Sequence, residues 1–142
     1  MNKKEGFTLI ELLVVISIIG VIMAFSFVGF SQVRKSAKDT KRKADLEQIR
    51  SALEIYRNDC KTYPTISGVL PSSLVGVPVI CAGNTYMSAV PADSTTGQNY
   101  SYKLGINSNS YVLCAYLETG PAAVSGCASC GTKTCNYITI QP

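Results

Sequence analysis

Residues 3–33 read KKEGFTLIELLVVISIIGVIMAFSFVGFSQV, and this stretch decides the architecture. Residues 12–33 carry no charge. About 20 residues of helix cross a hydrocarbon core, so the run is long enough to span one. No proline interrupts it; Gly20 and Gly29 are tolerated in a membrane helix and are weak points in an isolated one. A cleaved secretory signal has a shorter apolar core followed by a small-x-small site. Here the run passes straight into SQVRKSAKDTKRK, which predicts a retained helix. Glu11 stands one residue ahead of the uncharged run. A carboxylate at the membrane centre costs roughly 2.5–3.5 kcal/mol and less near an interface. Glu11 therefore either marks the interfacial end of the helix or pairs with a buried cation.

Outward from that run the charge falls into three zones. The chain has 142 residues, about one domain's worth, and a net charge of +4. Residues 34–61 hold Arg34, Lys35, Lys38, Lys41, Arg42, Lys43, Arg50, Arg57 and Lys61 against Asp39, Asp45, Glu47, Glu54 and Asp59. Residues 62–142 carry only Lys103, Lys133, Asp93 and Glu118, and so are neutral. With no His, an imidazole base, a His-ligated metal and a Ser-His-Asp triad are excluded. Two carboxylates in the C-terminal half are too few for most two-carboxylate mechanisms or an acidic calcium cage. The composition, 46% hydrophobic and 15% charged, is that of a folding chain and not a disordered one. These absences argue against an enzyme and for a structural or binding protein.

The segment Lys3-Lys4-Glu5-Gly6-Phe7-Thr8-Leu9-Ile10-Glu11-Leu12 closely resembles the N-terminus of type IV prepilins and type II secretion pseudopilins. The resemblance implies cleavage between Gly6 and Phe7 by a prepilin peptidase on the cytoplasmic face and N-methylation of Phe7. It also implies retention of the apolar stretch in the mature chain. Cleavage would create an α-amine on Phe7, one helical turn from Glu11 along the same face. In a packed bundle Glu11 of one subunit would then pair with the Phe7 ammonium of its neighbour. A lone charge in an apolar bundle is costly, so such pairing would set the axial register. One position departs from the family: many pilins carry a proline late in the apolar segment, where this chain has Val28 and Gly29.

Beyond the apolar run, ADLEQIRSALEIY places Leu46, Ile49, Leu53 and Tyr56 on one helical face. Asp39 with Lys43, or Lys43 with Glu47, lie four apart and would support the helix weakly. Pro64 cannot continue a helix, and Asn58-Asp59 suit its end, so the expected helix runs from about Phe7 to about Asn58. The basic residues after the apolar run would, by the positive-inside rule alone, keep the C-terminal domain in the cytoplasm. The prepilin motif requires the opposite orientation, and we follow the motif. The same cations invite a nucleic-acid reading, but Asp39 and Asp45 break up the run and no aromatic residue interleaves it. A solvated helix face or an inter-subunit contact is the better expectation.

In the rest of the chain, residues 99–104 alternate with period two, and SYVLCAYL at 110–117 follows the polar turn GINSN, which predicts a hairpin. Residues 136–140 form a third short strand, and Pro64, Pro71, Pro78 and Pro91 punctuate the connection. The expected fold is α+β: a small antiparallel sheet across the amphipathic half of a long helix, pilin-like. Tyr102, Leu113 and Leu117 would face the core, while the tyrosines suit either core or surface. The loop VPADSTTGQNYSY at 90–102 resembles the Asp-rich loop before the hairpin of small pilins and pseudopilins, in which nearby acids can hold calcium. A lone Asp93 is a poor hard-cation site, so no calcium is expected.

The six cysteines, Cys60, Cys81, Cys114, Cys127, Cys130 and Cys135, read either as three disulfides or as a Cys₄ zinc site built on the last four. An exported small domain favours disulfides. Cys60 with Cys81 is the expected first bridge, tying the helix end to the next loop; the other four allow three pairings.

The expected organisation is a leader over 1–6, a transmembrane and assembly helix over 7–33, an amphipathic helix over 34–59 and a disulfide-stapled β-rich domain over 60–142. The expected function is a structural subunit of a type IV pilus or secretion pseudopilus, anchored once in the cytoplasmic membrane with its C-terminal domain outside. It would then join an extracellular or periplasmic filament. The implied partners are copies of itself, other pilin-like subunits, the prepilin peptidase, an inner-membrane assembly platform and, before assembly, membrane lipid. No cofactor and no resident metal are expected. The alternative is a monomeric, membrane-anchored binding module, either DNA-binding or a cysteine–zinc domain.

Overall fold

The structure is a computed structural model describing residues 6–77, 79–106, 108–127 and 129–141, with backbone only at 26–28 and 141. The chain divides between Lys35 and Ser36 into two compact units. A single α-helix, α1 (Leu9–Cys60), begins in the first unit and ends in the second. Its start is chemically defined. The Glu11 carboxylate accepts from the backbone N–H and the hydroxyl of Thr8, both at 2.8 Å, and the Glu11 N–H reaches back to the Thr8 hydroxyl at 3.3 Å. This is a reciprocal capping box that satisfies otherwise orphaned donors of the first turn. Its end is equally clear. Lys61 takes a left-handed conformation (φ 61°) and donates its N–H to the Arg57 carbonyl at 2.8 Å, with Pro64 shortly beyond.

Within the first unit all described side chains from Phe7 to Phe25 are exposed. Among the described residues no single helix is long and apolar enough to cross a membrane, but the bent pair Leu9–Phe25 and Gly29–Cys60 passes together by length and composition. The expected leader lies outside the described residues except for Gly6. The Val28 side chain also lies outside them.

The second unit carries the sheet. Strands β1 (Gly68–Val69), β4 (Ser101–Leu104), β5 (Tyr111–Ala115) and β8 (Tyr137–Gln141) form a four-stranded antiparallel sheet in the order β1-β4-β5-β8. Two ribbons flank it: β2 (Leu74–Val75) with β3 (Thr85–Met87), and β6 (Ser129–Cys130) with β7 (Lys133–Thr134). The hairpin and the third strand expected from the sequence are β4, β5 and β8, each within two residues of the expected bounds.

Central strand β5 is buried on both sides, and its period of two sorts its side chains into two cores. Tyr111, Leu113 and Ala115 join Leu46, Ile49, Ala52, Leu53 and Tyr56 of α1. Cys114 points the other way into a second cluster with Cys130 and Cys135, against which Val112 and Ile138 pack. One sheet face is thus covered by the helix and the other by cystines.

The tyrosines, left open by the sequence, belong to the core. Tyr56, Tyr63, Tyr100, Tyr102 and Tyr111 are all buried. A buried phenol needs a polar partner. The hydroxyls of Tyr63 and Tyr111 donate to Glu54 at 2.9 and 3.2 Å, that of Tyr100 to Asp45 at 2.7 Å, and that of Tyr102 to the Pro64 carbonyl at 3.0 Å. Helix and sheet are stitched together as well as packed.

Candidate assembly and processing site

The residues expected from the sequence to be processed lie just ahead of α1. Gly6, Phe7 and Thr8 precede its first turn, and Phe7 is 89% exposed. A side chain at Gly6 would meet nothing within 4 Å, so this backbone is open to an approaching active site. Glu11, expected from the sequence either to mark the interfacial end of the helix or to pair with a cation, has Thr8 as its partner within the chain. Both Thr8 bonds fall on Oε2, leaving Oε1 for a further donor. Thr8-x-x-Glu11 is a capping-box spelling, so this signal is local in the sequence.

The second unit corrects the reading of the basic run at Arg42. Instead of belonging to a solvated face, Arg42 is 1% exposed. Its guanidinium donates to Asp93 at 2.7 and 3.1 Å, to Asp39 at 2.9 Å and to the Thr95 hydroxyl at 2.9 Å, with Glu118 at 3.4 Å. Asp39 likewise does not pair with Lys43. It accepts from the backbone N–H of Glu118 and Thr119, both at 2.8 Å, and from the Thr119 hydroxyl at 2.7 Å. Glu47 pairs with Arg50, at 3.2 Å, and Lys43 lies over the Tyr137 ring at 5.5 Å. The local i,i+4 pairs lose because these acids and bases have fixed partners from the sheet loops or three residues along the helix.

The electrostatics follow from those contacts. Burial pulls the Asp39 pKa up, but hydrogen bonds from Thr119, the Glu118 N–H and Arg42 outweigh it and hold the carboxyl below its ordinary value. Burial likewise opposes the charge on Arg42, and Asp93, Asp39 and Glu118 more than restore it, raising its pKa. The Tyr100 pKa is raised by burial and by its bond to Asp45. At Asp93 the carboxylate already takes two guanidinium bonds and the Thr95 N–H at 2.7 Å. This donor set is saturated by an internal cation and does not fit calcium.

The cysteines form three bridges: Cys60–Cys81, Cys114–Cys127 and Cys130–Cys135. The sulfurs of Cys114, Cys127 and Cys135 lie within 4.8 Å of one another. A bridged sulfur is not a thiolate, so these cysteines do not form the Cys₄ zinc site weighed from the sequence. Gly131 (φ 82°) turns the chain between the last two cysteines, where any Cβ would collide with the Gly97 carbonyl.

A Gly-Phe-Thr-x-x-Glu start, an exposed apolar helix and an α+β unit built on that helix's C-terminal half together define a type IV pilin-like subunit. Residues 1–27 match the prokaryotic N-terminal methylation motif, and residues 30–128 match the family described as type II secretion system (T2SS), protein G. The chain belongs to that protein G family. It is 35% identical over 98 residues to the type II secretion system core protein G of Escherichia coli (strain K12), covering 65% of this chain and 67% of that one. To core protein G of Vibrio cholerae it is 34% identical over 65 residues, covering 46% of this chain and 44% of the relative. To the type IV wide pilus major component PilA4 of Thermus thermophilus it is 38% identical over 72 residues, covering 51% and 55%. The chain thus spans two thirds of the first relative's length and about half of the other two. No solved structure matches it.

Proposed function

We propose that this chain is a structural subunit, and not an enzyme, of a pseudopilus- or pilus-type filament. It is cut between Gly6 and Phe7 by a prepilin peptidase, methylated on Phe7, held in the cytoplasmic membrane by residues 7–33 and then polymerised through that helix. Its partners are copies of itself, other pilin-like subunits and an inner-membrane assembly platform, with residues 60–142 outside the membrane.

One observation carries the reading: an apolar helix whose described side chains from Phe7 to Phe25 are all exposed and which holds a single charge, Glu11. Such a surface is stable only under lipid or under other copies of the same helix. Both covers suit the same segment in turn, first the bilayer and then the filament core. In this reading Glu11 serves the second step, where it would pair with the Phe7 ammonium of a neighbouring subunit. The pair would be desolvated and therefore valuable only in register.

The test compares wild type with Glu11→Gln in cells that carry the assembly machinery, scoring sheared filaments and membrane-bound subunit. Glu11→Gln should leave membrane insertion intact and reduce filament yield at least ten-fold. Equal filament yield would remove Glu11 from the assembly step.

A further inference from the structure

The basic run changes character once its acids are located. Between positions 34 and 45 the acidic residues are Asp39 and Asp45, and both are buried, at 4% and 6% exposure. Asp39 is consumed by Glu118, Thr119 and Arg42, and Asp45 by the Tyr100 hydroxyl. Arg42 is buried too, and its charge is spent on Asp39, Asp93 and Glu118. The charges left facing solvent are Arg34, Lys35, Lys41 and Lys43, with Lys38 41% exposed beside Glu118. The interleaved carboxylates that broke up the run in the sequence are therefore absent from the surface of the fold.

We infer that this basic run, contiguous in sequence over residues 34–43, binds anionic phospholipid headgroups while the subunit waits in the bilayer. Arg34 directly follows Val33, the last residue of the uncharged run, so the cations begin where the chain leaves the hydrocarbon. Clustered Lys and Arg at that position are drawn to anionic lipid by roughly 1 kcal/mol per cation, about five-fold in affinity each, screened by salt. Nucleic acid is the other polyanion. Residues 34–45 contain no aromatic side chain on which a base could stack, and membrane insertion places the run at a lipid surface without a separate encounter. The inference rests on the membrane-anchored reading above and adds to it the class of lipid.

The test uses the full chain in neutral detergent micelles doped with either phosphatidylglycerol or phosphatidylcholine, with retained lipid counted by native mass spectrometry at low salt. Wild type should hold phosphatidylglycerol in clear preference to phosphatidylcholine. The combined variant Arg34→Gln, Lys35→Gln and Lys41→Gln should lose phosphatidylglycerol affinity on the order of 100-fold, at about five-fold per cation. Its weak phosphatidylcholine binding should not change. Lys61→Gln, Lys103→Gln and Lys133→Gln remove the same charge elsewhere and should cost only a few-fold.

Near-UV circular dichroism of the tyrosines verifies that each variant is folded. Equal retention of the two lipids, or equal loss in both triple variants, overturns the inference. So does tighter binding of a duplex DNA probe than of phosphatidylglycerol at the same salt. A chain that does not stay in neutral micelles overturns the anchored reading and this inference together. A chain that stays but shows no headgroup preference overturns only the lipid site.

Discussion

Arg42→Met is the sharpest perturbation of the second unit. The substitution keeps an apolar side chain of similar length and deletes one cation that faces three carboxylates. These do not suffer equally. Glu118 is 22% exposed and can recover water. Asp39 keeps three donors from Glu118 and Thr119. Asp93, with a side chain only 1% exposed, keeps only the Thr95 N–H among its described donors. Removing one partner of a buried ion pair costs about 3–5 kcal/mol. With Asp93 bearing most of it, Arg42→Met should cost about that much. At a urea slope of about 2 kcal/mol per molar, the unfolding midpoint should fall by about 2 M. The chain has no Trp, so the buried tyrosines are the probe, followed by near-UV circular dichroism in micelles. Asp93→Asn added to Arg42→Met should cost less than the sum of the two single losses, by about 1–3 kcal/mol of coupling. A single-variant loss below about 1 kcal/mol, or strict additivity of the pair, would refute the picture of Arg42 as an internal counter-ion.

The bridges make a graded set. Cys60–Cys81 closes 21 residues and Cys130–Cys135 only 5, so chain entropy predicts losses of about 3 and about 2 kcal/mol on replacing each pair by Ser. Denaturant titrations that rank them in reverse would put the stabilisation elsewhere. The acid limb of stability follows from Asp39. Its folded pKa lies below its unfolded one, so its contribution is complete above about pH 4 and disappears as pH falls further. Asp39→Asn should flatten that limb, and an unchanged acid profile would count against it. At the alkaline end, burial raises the pKa values of Tyr100, Tyr102 and Tyr111. The folded unit keeps protons that the unfolded chain releases, so stability should decline as pH rises above about 10. Phenolate absorbance amounting to all eight tyrosines before unfolding would contradict this.

How much of this was legible in the sequence depends on the range over which each feature is encoded. The stripe Leu46, Ile49, Leu53 and Tyr56 was readable because helical period alone fixes a face, and all four are buried. The hairpin was readable because two alternating runs flank a polar turn. Arg42 was not readable. Its partners Asp93 and Glu118 lie 51 and 76 residues away, and no local pattern separates one buried arginine from five exposed cations. The one hint was Asp93 itself, the only acid within twenty positions on either side. The pairing of the last four cysteines was likewise hidden, because it depends on Cys114 occupying the outward face of β5. The split of that strand into two cores becomes visible only once the sheet has been covered on both sides.

The central claim is that the chain is processed at its N-terminus and retained whole as a filament subunit. The most direct measurement is the N-terminal residue and intact mass of the chain recovered from sheared filaments. The recovered chain should start at Phe7, bear one methyl group on its α-amine and have all six cysteines bridged. A chain that starts at Met1, that has been cut after the apolar run, or that is found only as membrane monomer and never in filaments would contradict it.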